Sequence, residues 1–414
     1  MGLNKGINRF IKVYPLYHGF IADLLFYIAI DTLFLTVVKN FTAAQIVSIT
    51  AVSQLVCILL QFPILFVMKK IGNTASVRIG AFCILISSIF ITFGKSYYLV
   101  LFGRILHEVD IIFRNASIVT LENNLEMVGR RGEFVRLRTS ANTAYSVITM
   151  IIAFIASYMF NLNHYLPMIG CITTCTVGFI LSFFIKDYSE YNKISRKGKK
   201  NKVKITYSKV IVLTLFLYAV FYSVVNSGQT DGKLFIQQHS LLDFSIETTA
   251  LIIGAIVCVS RIVRVLSNIV FARLYERYQV KMGVALPTLL SISMCFMLFG
   301  SFIPQVVVKL TVMSIGYAII LFIRDPFNLY VQDVLFDSTP KEQHQTLLVL
   351  LTFGTKVASA GLGLVFSAIL VSFPMVVVIA ILLAISVIEI IVSIILYRAI
   401  LIGRQQKSPS EEII

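Results

Sequence analysis

Tryptophan is absent from this 414-residue chain, and charged residues make up only 14% of it. A soluble domain carries about a quarter charged residues, so this composition excludes an ordinary water-soluble protein. Cysteine is scarce and its placement is one-sided. All six, Cys57, Cys83, Cys171, Cys175, Cys258 and Cys295, fall inside apolar stretches, which excludes the disulfide framework of a small secreted domain. Cys171 and Cys175 stand four apart on one stretch with no third ligand nearby, so they read as small buried side chains rather than a metal pair. Enzyme signatures are missing too. The "GKS" at 94–96 has Ile89 where a phosphate loop needs its leading glycine, and neither zinc-ligand spacing nor a nucleophile elbow occurs. No catalytic residue, metal site or cofactor is expected, and without a nucleotide-binding domain any energy must come from a gradient or a separate subunit.

What the chain has is long hydrophobic runs, 57% apolar residues with a mean hydropathy of +0.87. A helix needs roughly 20 apolar residues to cross the hydrocarbon, and about twelve such segments can be laid out with short loops between them. The first is expected over 16–38, the fourth over 97–125, the seventh over 208–230, the eighth over 246–272 and the tenth over 306–335. The fold class expected is therefore an all-α integral membrane protein with about 12 transmembrane helices in two pseudosymmetric six-helix bundles. Residues 1–186 would form the first bundle, 187–207 a basic linker, and 208–414 the second bundle with a short tail. The first segment follows Lys5, Arg9 and Lys12 as a signal peptide would, but it is too long and lacks an A-x-A-like cleavage site, so it reads as a retained helix.

The net charge of +16 would suit a nucleic-acid binder, but most of the 36 Lys and Arg residues gather on one side of the segments. That is positive-inside asymmetry, which predicts a multi-pass protein of the cytoplasmic membrane with both termini cytoplasmic and no nucleic-acid partner. The tract "RKGKKNKVK" reads most simply as a cytoplasmic linker, with contact to anionic headgroups as the alternative. Tyr14, Tyr17, Tyr97, Tyr98, Tyr165, Tyr188 and Tyr207 lie near segment ends and would form the aromatic belt that tryptophan cannot.

The halves look like distant copies. Arg114 lies about 17 residues into segment four and Arg324 holds the matching place in segment ten, followed eight or nine residues later by Glu122 and Asp333. The turn "KKIGNT" after segment two has its counterpart in "ERYQVK" after segment eight. Two repeats around a site at mid-depth is the layout of a secondary transporter.

With these motifs in place the chain resembles the major facilitator superfamily over nearly its whole length. Lys69-Lys70-Ile71-Gly72 keeps the basic residue and glycine of that family's loop signature but puts Lys69 where the acid belongs. Glu276-Arg277-Tyr278-Gln279 keeps the acid and base and loses the glycine. Glu122 followed by Arg131-Gly132, and Asp333 followed by Pro340-Lys341-Glu342-Gln343, are similar to the family's turns after helices four and ten. The resemblance implies that helices one, four, seven and ten line a cavity.

Ionised side chains at bilayer depth must face water or one another. Segment four carries Arg104, His107, Glu108, Asp110 and Arg114. Arg104 with Glu108 and Asp110 with Arg114 are four apart and can meet along a helix face. These are either ion pairs that hold the helix in place or a substrate and proton site. In segment one Asp23 and Asp31 lie two turns apart with Tyr27 between them on roughly the same face. Asp31 is one candidate proton carrier, with Glu108 and Asp110 as rivals. Arg261 and Lys356 join Arg104 as candidates for an anionic or zwitterionic solute. Lys69, Lys70, Gly72, Glu122, Arg131, Arg264, Glu276, Arg277, Arg324, Asp325 and Asp333 are candidates for a cytoplasmic gate. Pro326 predicts a kink in segment ten, and "NSGQTDGKLFIQQH", with Gly228 and Gly232, predicts a helix that breaks or flexes near the outer surface, either as an outer gate or binding edge or as an ordinary frayed end.

The function these features support is a secondary active transporter that moves a small organic solute by alternating access, coupled to protons and working as a monomer. Two rivals stand beside it: a non-transporting sensor or scaffold of the same fold, and a membrane-embedded enzyme with its reactive groups near an interface.

Overall fold

The computed structural model describes residues 2–190, 208–339 and 341–407. The expected linker beyond residue 190, Tyr207 and Pro340 lie outside the described residues, as do the side chains of Gly132, Glu276 and 341–343. Among the described residues there is no strand, and the chain runs through thirteen α-helices. Helices α1 (Gly2–Ile21) and α2 (Leu25–Leu33), ended by a π turn over Phe34–Val38, form one interrupted span. Then come α3 (Ala43–Ile71), α4 (Asn73–Phe93), α5 (Tyr97–Met127), α6 (Phe134–Leu162) and α7 (Leu166–Ser182). The second series is α8 (Lys209–Asp243), α9 (Ile246–Tyr278), α10 (Met282–Gly300), α11 (Val306–Asp337), α12 (Lys341–Ile369) and α13 (Met375–Lys407). Ten of these spans are long and apolar enough to cross a bilayer. The exceptions are α7, which is apolar but short, and α5, whose interior charges set it apart.

The chain divides into two compact units. One holds the elements up to residue 190 together with Ile246–Cys258 of α9, and the other holds α8, the rest of α9 and α10 to α13. Within the first unit α4 packs on α5 and α7, and α1 on α6 and α7. Within the second, α10 packs on α11 and α13, and α8 on α12 and α13. The same neighbours recur at corresponding places, as expected of a duplicated bundle.

Several expectations need correction. The first helix begins at Gly2, well before residue 16, because the stretch from Asn4 to Tyr17 has Ile7, Phe10, Tyr14 and Tyr17 buried at helical spacing. Tyr14 and Tyr17 are therefore core residues and not part of an aromatic belt, whereas Tyr98 and Tyr165 are exposed. Segment seven does not break: α8 is continuous for 35 residues. Its glycines serve packing, since a Cβ on Gly228 would meet Met294 and Ile320 of α10 and α11, and one on Gly232 would meet Met297. Helix α11 continues through Pro326 as one element, so the proline does not end it. The interruption falls in segment one, at residues 22–24.

Candidate functional site

Asp23 accounts for the break between α1 and α2. Its carboxylate accepts a 2.8 Å hydrogen bond from the backbone N–H of Leu24, the local competition by which an aspartate side chain displaces helical bonding. The last bond of α1 runs from Ala22 N–H to His18 O, and α2 starts with Ile28 N–H to Leu24 O, so the carbonyl of Ile21 is released from the helix. Arg114 of α5 takes it, donating from Nη1 at 2.7 Å. Asp23 and Asp31 therefore do not sit two turns apart on one continuous helix, as the spacing suggested. Asp31 lies on α2, where its carboxylate accepts from Thr32 N–H at 2.7 Å.

Around the break α5 presents a ladder of polar groups. His107, 4% exposed, brings Nε2 to 3.1 Å from Asp23 Oδ1, and the Asp23 side chain is one-third exposed. Arg104 lies one turn earlier, with Nη1 3.4 Å from His107 Nδ1 and its guanidinium 5.9 Å from the centre of the Tyr27 ring. One turn later the other arm of Arg114 reaches Asp110 Oδ2 at 3.4 Å. Asp110 is fully buried, and neither of its oxygens accepts a hydrogen bond. It lies against α4 at Gly80, where a Cβ would stand 3.2 Å from Asp110 Oδ1. Tyr17 of α1 is also fully buried with an unpartnered hydroxyl. Glu108 is buried on the same helix. Of the two pairs expected on α5, Asp110–Arg114 forms, while the Arg104 guanidinium is turned to His107 and Tyr27. None of Arg104, Asp110 and Arg114 points outward at lipid: all are buried or half-buried.

The other candidates sit elsewhere in their own units. In the second unit Arg264 of α9 forks onto Asp325 of α11 at 2.7 and 2.9 Å. Arg324 donates to Gln229 Oε1 at 2.9 Å, so its partner is an amide rather than an acid. Tyr222 donates to the Arg324 carbonyl, Tyr218 to Asn328 Oδ1 at 2.9 Å, and Tyr275 to Asp333. Arg261 and Lys356 are half-buried. At the basic end of the first unit Arg131 pairs with Glu122 at 2.9 Å. Lys69 and Lys70 are exposed, with Lys70 over the Phe66 ring, and Arg277 lies over Tyr278. The Arg130 guanidinium, forked onto Glu133, holds that carboxyl below the ordinary carboxylate range.

Two polar devices escaped the sequence. Asp187, fully buried just past α7, accepts from Asn73 at 2.7 Å and Asn123 at 2.8 Å through Oδ2, and from Ser189 through Oδ1. Its backbone N–H donates to Thr74 Oγ1 at 2.9 Å, so it ties the starts and ends of α4, α5 and α7 together. At the opposite end Lys39 donates to the carbonyls of Thr92 and Gly94 at 2.6 and 2.9 Å, capping α4, and lies over the Phe34 and Tyr165 rings.

No family model matches the chain, and no curated protein matches it. Solved structures do. The nucleoside transporter NupG superposes with a TM-score of 0.69 at 11% identity, over 96% of this chain and 99% of that one. A bacterial homologue of the iron transporter ferroportin, in an inward-facing state, gives 0.66 at 14% identity, over 96% and 100%. The structure of a bacterial metal transporter gives 0.65 at 12%, over 94% and 98%. The chain has the major facilitator fold. The broken span α1–α2 is helix one of that fold and α5 is helix four, so the Asp23–His107 contact joins two helices that the resemblance assigned to the cavity. In the major facilitator frame α8 and α11 are helices seven and ten, and they carry the Tyr222, Gln229 and Arg324 contacts.

Proposed function

We propose that this protein is a secondary transporter that moves a small organic solute by alternating access, with proton exchange at the Asp23–His107 pair. The observation that carries this reading is the interrupted first span. A helix opened at bilayer depth, with its freed carbonyl held by Arg114 and an aspartate one-third exposed beside it, is how transporters of known architecture build binding sites from discontinuous helices. Backbone without helical bonds is tolerated at that depth only where protein or water satisfies it. The interior mixes Asp23, Asp31, Glu108 and Asp110 with Arg104, His107 and Arg114, which suits a polar solute with anionic or zwitterionic character. Proton movement between Asp23 and His107 exchanges an ion pair for a neutral pair, and that switch is local enough to bias two conformations.

The neighbouring folds belong to proteins named for nucleosides and for metal, so both classes belong in the substrate panel. The test is uptake into proteoliposomes across nucleosides, organic anions, zwitterions and divalent iron and manganese, with and without a proton gradient. Asp23→Asn and His107→Gln are each expected to cut gradient-driven uptake at least tenfold. Wild-type uptake in both variants would overturn the site, and failure of every substrate class to enter would overturn the transporter reading.

A further inference from the structure

Helix α13 hides a carboxylate that no part of the site described above uses. Its buried face runs through Ile379, Leu382, Ser386, Glu389, Ser393 and Leu396, at spacings of three and four, while Val387, Ile388 and Ile391 opposite them are about half exposed. The polar residues therefore point into the second unit and the aliphatic ones away from it, as on a helix whose outer side meets acyl chains. Glu389 is 2% exposed, and both of its carboxylate oxygens are buried without a hydrogen-bond partner. It lies four turns from the start of α13, near the middle of a hydrocarbon core about 30 Å thick.

The elements packed on α13 are α8, α10 and the turn Gln279–Lys281. At bilayer depth they carry Tyr218, Tyr222, Asp231 and Lys233 on α8 and Cys295 on α10, while Lys209, His239, Asp243 and Lys281 sit at or near helix ends. None of these makes an ion pair or hydrogen bond with the Glu389 carboxyl. An ionised carboxylate in such a place would go uncompensated.

We propose that Glu389 is a proton-binding site of the second unit, distinct from the Asp23–His107 pair of the first. With α13 closed on α8 and α10 the side chain is a neutral acid. When those helices part enough to admit water, its O–H bond breaks, the proton passes to water and the carboxylate remains. The role of that proton in coupling rests on the transporter reading, but its presence on Glu389 does not.

Two measurements on the full chain in liposomes separate these. Dicyclohexylcarbodiimide adds to protonated carboxyls in apolar surroundings and leaves an N-acylurea that peptide mass spectrometry locates. Glu389 is expected to be labelled at pH 7, to lose labelling as pH rises, and to be silent in Glu389→Gln. Absence of labelling on Glu389 between pH 5 and 9, while the reagent modifies other carboxyls of the same sample, would overturn the proposal whether or not a substrate is known. In uptake, Glu389→Gln, a mimic of the neutral acid, is expected to fold with an unchanged melting temperature and to lose at least fivefold of the gradient-driven rate. Glu389→Leu guards against a packing explanation. If both variants keep the wild-type rate and pH profile, the proton on Glu389 has no part in coupling and that half of the proposal falls, while the labelling decides whether the proton is there.

Discussion

Arg114 holds the first unit's polar interior together, because its two arms satisfy groups on different helices. One donates to the carbonyl that the helix break leaves at Ile21, and the other neutralises the fully buried Asp110. Arg114→Met should therefore strand both and cost about 3–5 kcal/mol, the range found when one partner of a buried pair is removed. The pairing argument predicts non-additivity: adding Asp110→Leu to Arg114→Met should restore part of the loss, since the uncompensated carboxylate disappears with it. Thermal unfolding in detergent reads both effects, and a double variant no more stable than Arg114→Met alone would deny the pair its importance. A second residue-scale prediction concerns the turns. Gly72 after α3 has φ of +83°, and Gln279, at the matching place after α9, has φ of +37°. The family's glycine is lost from the second sequence copy, yet its left-handed backbone persists. An L-residue there is strained by roughly 1–2 kcal/mol, so Gln279→Gly should raise the melting temperature and Gly72→Ala should lower it.

At the scale of elements, α4 and α5 approach closely at Gly80 and Gly103. A Cβ on Gly80 would fall 3.0 Å from Phe113 Cβ and 3.2 Å from Asp110 Oδ1. Gly80→Val should cost about 1–3 kcal/mol by overpacking and should also push Asp110 away from Arg114. Loss of stability together with loss of uptake is the expected outcome, whereas a stable variant with normal uptake would show that the close approach is dispensable. Which elements form was legible in the sequence, because apolar runs of span length leave the chain few other structures in a bilayer. The charged residues of α5 were legible for the same reason: charge is so rare here that its position is informative. How helices end or break was not. Asp23 looked like one more side chain on a continuous helix, since the competition between its carboxylate and the helical bond of Leu24 leaves no mark in hydrophobic periodicity. Gly228 and Gly232 misled in the opposite sense, because a glycine that admits Met294 or Met297 reads the same in sequence as one that breaks a helix. Asp187 and Glu389 were missed for a further reason. The partners of Asp187, Asn73 and Asn123, are more than sixty positions away in sequence, and Glu389 has no partner to signal it.

Over the whole molecule, the informative property is how positive charge is divided between the two ends of the spans. Lys70, at the end of α3, lies on the side rich in Lys and Arg, and Lys95, between α4 and α5, lies on the poor side; both are exposed. Basic residues near short loops resist translocation, so the rich side should face the cytoplasm. The six native thiols all lie within the helices, which leaves the loops open for labelling. In intact cells an impermeant maleimide should modify Lys95→Cys and spare Lys70→Cys, and permeabilising the cells should expose the second. The reverse pattern would place the termini outside and turn the proposed proton pathway around with them. Labelling of both in intact cells would remove the single-orientation premise on which a directional carrier depends. The orientation matters for the chemistry because Asp187 and the Arg131–Glu122 pair gather at the basic end of the first unit, while Lys39 caps its other end. If the basic end is cytoplasmic, Asp187→Ala should leave the outward-facing Lys39 anchor untouched. It should loosen the inner ends of α4, α5 and α7 by about 1–3 kcal/mol for the unsatisfied polar groups it leaves. Hydrogen exchange that rises only at those inner ends would agree with this orientation-specific tie, and a uniform rise across the unit would show instead that Asp187 supports the fold as a whole.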